Sequence, residues 1–98
     1  MTPPLTLRDE ALEEIQEAFD WYEEQRPDLG REFLNAVRAT LAAVEEAPRR
    51  YPKIRGETRR ALVARFPYSI LYIAEAERTI VTACFHGKRD PRRWHQRR

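Results

Sequence analysis

The second half of this 98-residue chain contains three stretches of β-forming residues, which constrain the fold more than any other feature. Residues 60–66, 68–74 and 79–86 are rich in Val, Ile, Leu, Phe and Tyr, which favour strands. The last two stretches flank a charged link over 75–78, whose length suits a β-hairpin. Both are apolar on both faces. We therefore expect them to be inner strands of a sheet with helices packed on one side.

Two amphipathic helices are predicted in the first half of the chain. The first apolar stripe consists of Leu12, Ile15, Phe19 and Tyr22, and the second of Phe33, Leu34, Val37, Leu41 and Val44. Both stripes follow the 3.6-residue period of a helix. Between them, Pro27-Asp28-Leu29-Gly30 interrupts the pattern and predicts a tight link. We expect an antiparallel helical hairpin, with helices over about 9–26 and 29–46.

The order of elements places the chain in the α+β class. Leu5-Thr6-Leu7 predicts a short first strand, and the connection after the helices leaves room for an edge strand near 53–55. Without that edge strand, the order is β-α-α-β-β-β, a helical hairpin packed on a small, mainly antiparallel sheet. We expect a single domain over residues 1–98. Its predicted parts are a strand over 1–7, the hairpin over 9–47, the sheet over 53–86 and a basic tail over 87–98.

Composition narrows the setting in which the protein works. No apolar run approaches the roughly 20 residues that a membrane-spanning helix needs. The N-terminus lacks a basic segment followed by an apolar one, so we expect no signal peptide. Cys84 is the only cysteine, so we expect it to be a small buried apolar residue and not part of an intramolecular disulfide. These features favour a cytoplasmic protein.

Charge is distributed unevenly along the chain. Residues 1–48 contain 4 Arg or Lys and 12 Asp or Glu, a net charge of −8. Residues 49–98 contain 14 Arg or Lys and 4 Asp or Glu, a net charge of +10. This asymmetry indicates either an acidic or polyanionic partner for the basic half, or neutralisation of one half by the other within the fold.

The residues present disfavour several kinds of catalytic site. His86 and His95 are the only histidines and have no paired-ligand spacing with Cys84, so we expect no metal. The three glycines form no phosphate-binding loop and there is no G-x-S-x-G motif. We therefore expect neither a cofactor nor a serine or cysteine hydrolase triad.

A set of cationic and aromatic residues remains as the candidate binding site. Arginine forks match phosphate or carboxylate oxygens, and an aromatic ring can stack on a base. The predicted binding residues are Arg59, Arg60, Arg65, His86, Lys88, Arg89, Arg92, Arg93 and Trp94. The partner would be RNA or an acidic protein surface. One alternative is that the charges at the end of the chain are merely a solvated run. His86 could act in proton transfer, or it could simply bond to a backbone group.

Several motifs, taken in order, resemble one family. They are Tyr22, Pro27-Asp28-Leu29-Gly30, Phe33-Leu34, Tyr51-Pro52, Arg60, Phe66-Pro67-Tyr68-Ser69-Ile70-Leu71-Tyr72, and His86 followed by Arg89-Asp90-Pro91 and Trp94. Together they cover essentially the whole chain and resemble the RelE/ParE superfamily of type II toxin–antitoxin toxins. The resemblance implies a growth-inhibiting toxin that a cognate antitoxin holds inactive.

The resemblance offers two modes of action. RelE-like members cleave mRNA in the ribosome, using basic side chains and an aromatic, whereas ParE-like members inhibit DNA gyrase and have lost the cleavage site. The nuclease branch typically has an arginine in the strand that corresponds to Tyr68-Ser69-Ile70-Leu71-Tyr72, where this chain has Ser69. A serine cannot supply the charge that stabilises the transition-state phosphate. We therefore favour the ParE-like mode, a non-enzymatic gyrase inhibitor.

Two alternatives stay open. One is a metal-independent, ribosome-dependent endoribonuclease that would use Arg65 or Arg60 together with His86, Arg89 and Trp94. The other is a basic nucleic-acid-binding module without toxicity. In the toxin hypothesis, the antitoxin places an amphipathic or extended segment in an apolar groove. Acidic residues of that segment would pair with Arg59, Arg60 and Arg65 and speed association.

Overall fold

The computed structural model describes residues 4–88, 92–95 and 97, without the side chain of Arg93. The elements in chain order are β1 (Leu5–Leu7), α1 (Asp9–Gln25), α2 (Leu29–Glu46), β2 (Lys53–Arg55), β3 (Thr58–Leu62), β4 (Tyr68–Ala74), β5 (Thr79–His86) and α3 (Arg92–His95). The α+β class and the predicted order of strands and helices are confirmed. Within the described residues, no helix is long and apolar enough to cross a membrane.

The five strands form one mixed sheet in the order β1-β5-β4-β3-β2. The β1 strand is parallel to β5, and every other neighbouring pair is antiparallel. As predicted, β4 and β5 are inner strands. Both edge strands are short: β1 pairs only with residues 79–81 of β5, and β2 pairs only with the start of β3. Parts of β5 and β3 therefore extend beyond the strands that flank them.

The link between the helices depends on Glu23 and Gly30. The Glu23 carboxylate accepts hydrogen bonds from the backbone N–H groups of Asp28 and Gly30, each at 3.0 Å. It thereby satisfies donors that the start of α2 leaves without a helical partner. A Cβ at Gly30 would lie 2.8 Å from the backbone oxygen of Phe19. Glycine thus permits the close approach of the two helices at this point.

Side chains on the two faces of the sheet form separate apolar clusters. On the helix face, Ile70 and Tyr72 pack with residues of both helices, including Ile15 and Phe33. The opposite side of the sheet, the outer face, holds a second cluster formed by Leu71, Ala83, Phe85 and Trp94. Because successive strand residues point to opposite faces, the two apolar faces of β4 require both clusters.

Helix α3 lies within the segment that was predicted as a basic tail. Its Trp94 side chain is only 7% exposed, and its ring centroid lies 6.2 Å from that of Phe85. The segment predicted as a basic tail therefore also supplies an apolar side chain, Trp94, that covers part of the outer face.

The prediction of a strand over residues 60–66 is wrong at both ends. β3 begins at Thr58 and ends at Leu62, and a turn follows it. In this turn the Phe66 N–H bonds to the Val63 oxygen, and Arg65 has a φ of 70°. A positive φ at the third residue of a four-residue turn is typical of type II. The local β propensity of the stretch gives no sign of this turn.

A part-buried ion pair lies beside β5, just beyond the residues that β1 covers. The Glu14 carboxylate of α1 accepts the Cys84 N–H at 3.1 Å and the Arg97 guanidinium at 2.8 Å. Arg97 also donates to the Thr82 oxygen at 3.3 Å. The side chains of Glu14 and Arg97 are only 14% and 18% exposed. The pair links α1, β5 and the end of the chain.

We predict that Glu14→Ala destabilises the fold by about 2–4 kcal/mol, because it leaves a part-buried guanidinium and a backbone N–H without their acceptor. The measurement is urea unfolding followed by circular dichroism. Glu13→Ala is the matched control, since this exposed neighbour should change stability by less than about 0.5 kcal/mol. Equal stability of the two variants would contradict a structural role for the pair.

Candidate functional site

Arg59 is held by backbone oxygens of the connection that follows α2. Its Nη1 donates to the Arg49 oxygen at 3.2 Å and to the Tyr51 oxygen at 2.6 Å. In the same region, the Tyr72 hydroxyl donates to the Pro48 oxygen at 2.6 Å. These bonds fix residues 48–51 against the sheet. Arg59, one of the predicted binding residues, is thus engaged within the fold.

Arg60 and Arg65 are exposed on the β3 side of the molecule. Arg60 lies in β3 on the outer face, and Arg65 occupies the turn after it, with its guanidinium carbon 6.0 Å from the centre of the Phe66 ring. The left-handed backbone of Arg65 is unfavourable for a residue with a Cβ. Such strain is concentrated at functional sites, which makes Arg65 a stronger candidate than its composition alone suggests.

An open groove lies between α2 and the outer edge of β3, with Arg65 at one end. This α2–β3 groove has a volume of about 430 Å³ and is lined by Asn35, Ala36, Ala39, Thr40, Ala43, Tyr51, Leu62, Ala64 and Arg65. Leu62 is 70% exposed. The Arg60 N–H donates to the Pro52 oxygen and so points away from β4. Because backbone groups alternate along a strand, the N–H and C=O of Leu62 also point away from β4. The groove thus combines small side chains, an exposed apolar side chain and an uncovered strand edge.

A second groove lies on the other side of the hairpin, between α1 and the far end of β5. This α1–β5 groove has a volume of about 670 Å³ and is lined by Glu14, Glu17, Ala18, Trp21, Tyr22, Pro67, Tyr68, Cys84, Phe85, His86 and Lys88. The His86 ring lies at right angles to Tyr68 with a centroid distance of 5.0 Å. Its Nδ1 accepts the Lys88 N–H at 3.0 Å, which leaves Nε2 as the protonated nitrogen of the neutral ring.

The predicted nuclease residues are not brought together by the described part of the chain. His86 lies in the α1–β5 groove, whereas Trp94 is buried in the outer-face cluster. Ser69 is buried on the outer face, where it pairs with Phe85. Arg65 stands in the turn at the same end of the sheet as His86. At the strand position where the resemblance leads us to expect an arginine, this chain therefore has a buried serine, Ser69.

The rest of the predicted binding set belongs to the end of the chain. Lys88 is exposed at the rim of the α1–β5 groove, and Arg92 is exposed at the start of α3. Arg89 lies outside the described residues, as does the side chain of Arg93. Those predicted residues that the structure describes therefore occupy several surfaces and do not form one continuous patch.

The environments of Cys84 and Tyr72 disfavour nucleophilic chemistry by these two groups. Burial, with a smaller effect from the Glu14 carboxylate, raises the pKa of Cys84 to about 12. Burial also raises the pKa of Tyr72 to about 12. A thiol with so high a pKa stays protonated near neutral pH and is a poor nucleophile. In the described residues, no group of three or more His, Cys, Asp or Glu could hold a metal ion.

Trp21 is a candidate binding residue that the sequence pattern missed. It is 57% exposed and lines the α1–β5 groove. In α1 it stands beside the buried stripe that contains Ala18 and Tyr22. A large aromatic residue adjacent to such a stripe is the signal that could have identified it. Glu14 and Arg97 were also missed, because they are 83 positions apart in the chain.

We predict that Trp94→Ala lowers the free energy of unfolding by about 3–5 kcal/mol, as expected for loss of a buried aromatic side chain. Trp21→Ala, which removes an exposed ring, should change it by less than about 0.5 kcal/mol. Urea unfolding of the two variants measures the difference. A stable Trp94→Ala protein would contradict the structural role of Trp94 and return it to the candidate binding residues.

Comparison with known proteins agrees with the fold described above. Residues 5–91 match the family described as the ParE toxin of the type II toxin–antitoxin system parDE. A chain of the solved chromosomal ParDE TA system from P. aeruginosa has the same fold, with a TM-score of 0.76 at 11% sequence identity. The alignment covers 87% of this chain and 96% of that chain. No curated protein matches the sequence. The chain belongs to the ParE toxin family of type II toxin–antitoxin systems.

Proposed function

We propose that this protein is a growth-inhibiting toxin that acts on DNA gyrase without catalysing a reaction, and that a cognate antitoxin neutralises it. Family membership supports the toxin function. The observation that carries the non-catalytic mode is the burial of Ser69, opposite Phe85 in the sheet, at the position of the nuclease arginine. Cleavage of a phosphodiester needs cationic groups aimed at the developing charge, and a buried serine provides none.

Contact with gyrase is proposed for the exposed cations of the predicted set. Arg60, Arg65, Lys88 and Arg92 are exposed, whereas Arg59 is bonded to backbone oxygens. Exposed arginines suit recognition of acidic protein surfaces because their forks bind carboxylates with two hydrogen bonds. Trp94, also in the predicted set, is buried and is not proposed to contact gyrase.

The antitoxin is proposed to bind in the α2–β3 groove. Small side chains along α2 let another polypeptide approach the helix closely. An apolar side chain of the antitoxin segment would cover Leu62, which is 70% exposed. Acidic side chains would face Arg60 and Arg65 at the rim. A segment in this position covers two of the cations proposed to contact gyrase, so it would neutralise the toxin by occlusion.

The proposed target is tested with two assays on toxin freshly separated from its antitoxin. We expect the protein to inhibit gyrase supercoiling and to leave mRNA intact on programmed ribosomes. Arg60→Glu and Arg65→Glu should each weaken supercoiling inhibition by about 10-fold or more, since each removes a desolvated charge contact. Cleaved mRNA together with unaffected gyrase would overturn the proposal.

Charge reversal tests the proposed antitoxin site. The double variant Arg60→Glu/Arg65→Glu should bind the antitoxin about 10- to 100-fold more weakly, with much of the loss in the association rate. Arg38→Glu is the matched control, because Arg38 is an exposed α2 residue that does not line the groove. Surface plasmon resonance measures both rates. Equal losses for Arg38→Glu and the double variant would contradict this placement.

A further inference from the structure

Apart from Lys88 at its rim, the α1–β5 groove has no role in the function proposed above. It is the larger of the two grooves beside the helical hairpin, at about 670 Å³. Trp21 stands at its rim with 57% of its surface exposed, although it is one of the largest apolar side chains of the protein. Burial of such a ring on binding is a common source of affinity at protein interfaces.

One wall of the groove is a strand edge with its backbone groups directed outwards. β1 covers only residues 79–81 of β5. Beyond it, the Cys84 N–H points away from β4 to reach Glu14, and the Gly87 N–H points towards β4 to reach the Pro67 oxygen. Alternation therefore directs both backbone groups of His86 outwards. Among the described residues, neither the Cys84 oxygen nor the His86 N–H has a hydrogen-bond partner.

These two groups match the bonding pattern of a parallel strand. In a parallel pair, a residue of one strand bonds to the two residues that flank its partner on the other strand. Its N–H donates to the oxygen of the residue before the partner, and its oxygen accepts from the N–H of the residue after the partner. Here that residue would face Phe85, donate to the Cys84 oxygen and accept from the His86 N–H. β1 is already parallel to β5, so an added segment would continue the line of β1 in the same direction.

The other wall of the groove is α1, which contributes the carboxylates of Glu14 and Glu17 to the lining. The solvent side of α1 presents carboxylates at helical spacing, namely Glu10, Glu13, Glu17, Asp20 and Glu24. Glu13 and Glu17 have no ion pair among the described residues. At the near end of this edge, Arg97 bonds to both Glu14 and the Thr82 oxygen, so the chain itself shows that an arginine fits here. Lys88 is the one cation among the described lining residues.

We infer that the α1–β5 groove binds a positively charged, extended segment of another protein as an added strand parallel to β5. Alternate side chains of the segment would cover Trp21 and face Glu17. The α2–β3 groove has the opposite charge at its rim, with Arg60 and Arg65. The toxin therefore has two docking surfaces for partners of opposite charge, one on each side of the helical hairpin, and both can be occupied together.

The inference is tested by selecting peptides from a displayed library of random 12-residue sequences on the immobilised full-length toxin. We expect enrichment of peptides in which apolar residues alternate with Lys or Arg. A selected synthetic peptide should change the fluorescence of Trp21 and slow hydrogen exchange of the His86 amide. Enrichment of acidic peptides, failure to enrich any sequence, or protection at Leu62 in place of His86 would overturn the inference.

Charge variants sharpen the test. Glu13→Lys/Glu17→Lys should weaken binding of the selected peptide at least 10-fold. Glu46→Lys/Glu77→Lys changes the net charge equally at exposed positions away from the groove and should bind as the unmodified toxin does. Equal binding by the two double variants would overturn the inference. Because the toxin is tested alone, the result is independent of whether gyrase is the target or where the antitoxin binds.

Discussion

The structure depends on covering both faces of β4 and β5. Both strands are almost entirely buried, and their side chains alternate between the helix face and the outer face. The helical hairpin supplies one layer, and Trp94 with the end of the chain supplies cover for the other. The Glu14–Arg97 pair joins these two layers around the edge of β5. A small sheet with two apolar faces thus recruits the C-terminal segment, despite its basic composition, into the fold.

The edge strands leave the sheet open in two places. β1 and β2 are each 3 residues long and cover only parts of β5 and β3. Each helix of the hairpin therefore stands beside an uncovered strand edge, and a groove forms at each. The uneven charge of the sequence is arranged around them, with carboxylates of α1 beside one groove and Arg60 and Arg65 beside the other. Opposite charge at the two edges favours different partners and disfavours exchange between them.

Much of the fold could be predicted because its signals are local. The helical stripes and the apolar runs of β4 and β5 define their own elements, and the observed bounds agree with the predicted ones to within about a residue. The end of β3 could not be predicted, since residues 60–66 have β propensity throughout and the turn depends on a left-handed Arg65. Burial of Trp94 and the Glu14–Arg97 pair depend on contacts between distant parts of the chain. For the site, the sequence indicated which residues are cationic. It did not indicate that Arg59 bonds to backbone oxygens, or that Glu17 of α1 lines a groove beside β5.

We propose that the antitoxin and a second partner use opposite edges of the sheet. A crystal structure of the toxin bound to its cognate antitoxin would locate the antitoxin on one edge or the other. We expect an antitoxin segment along α2, with Leu62 covered, acidic side chains next to Arg60 and Arg65, and Trp21 still exposed. An antitoxin segment paired with β5 over Trp21, with Leu62 left in solvent, would contradict it.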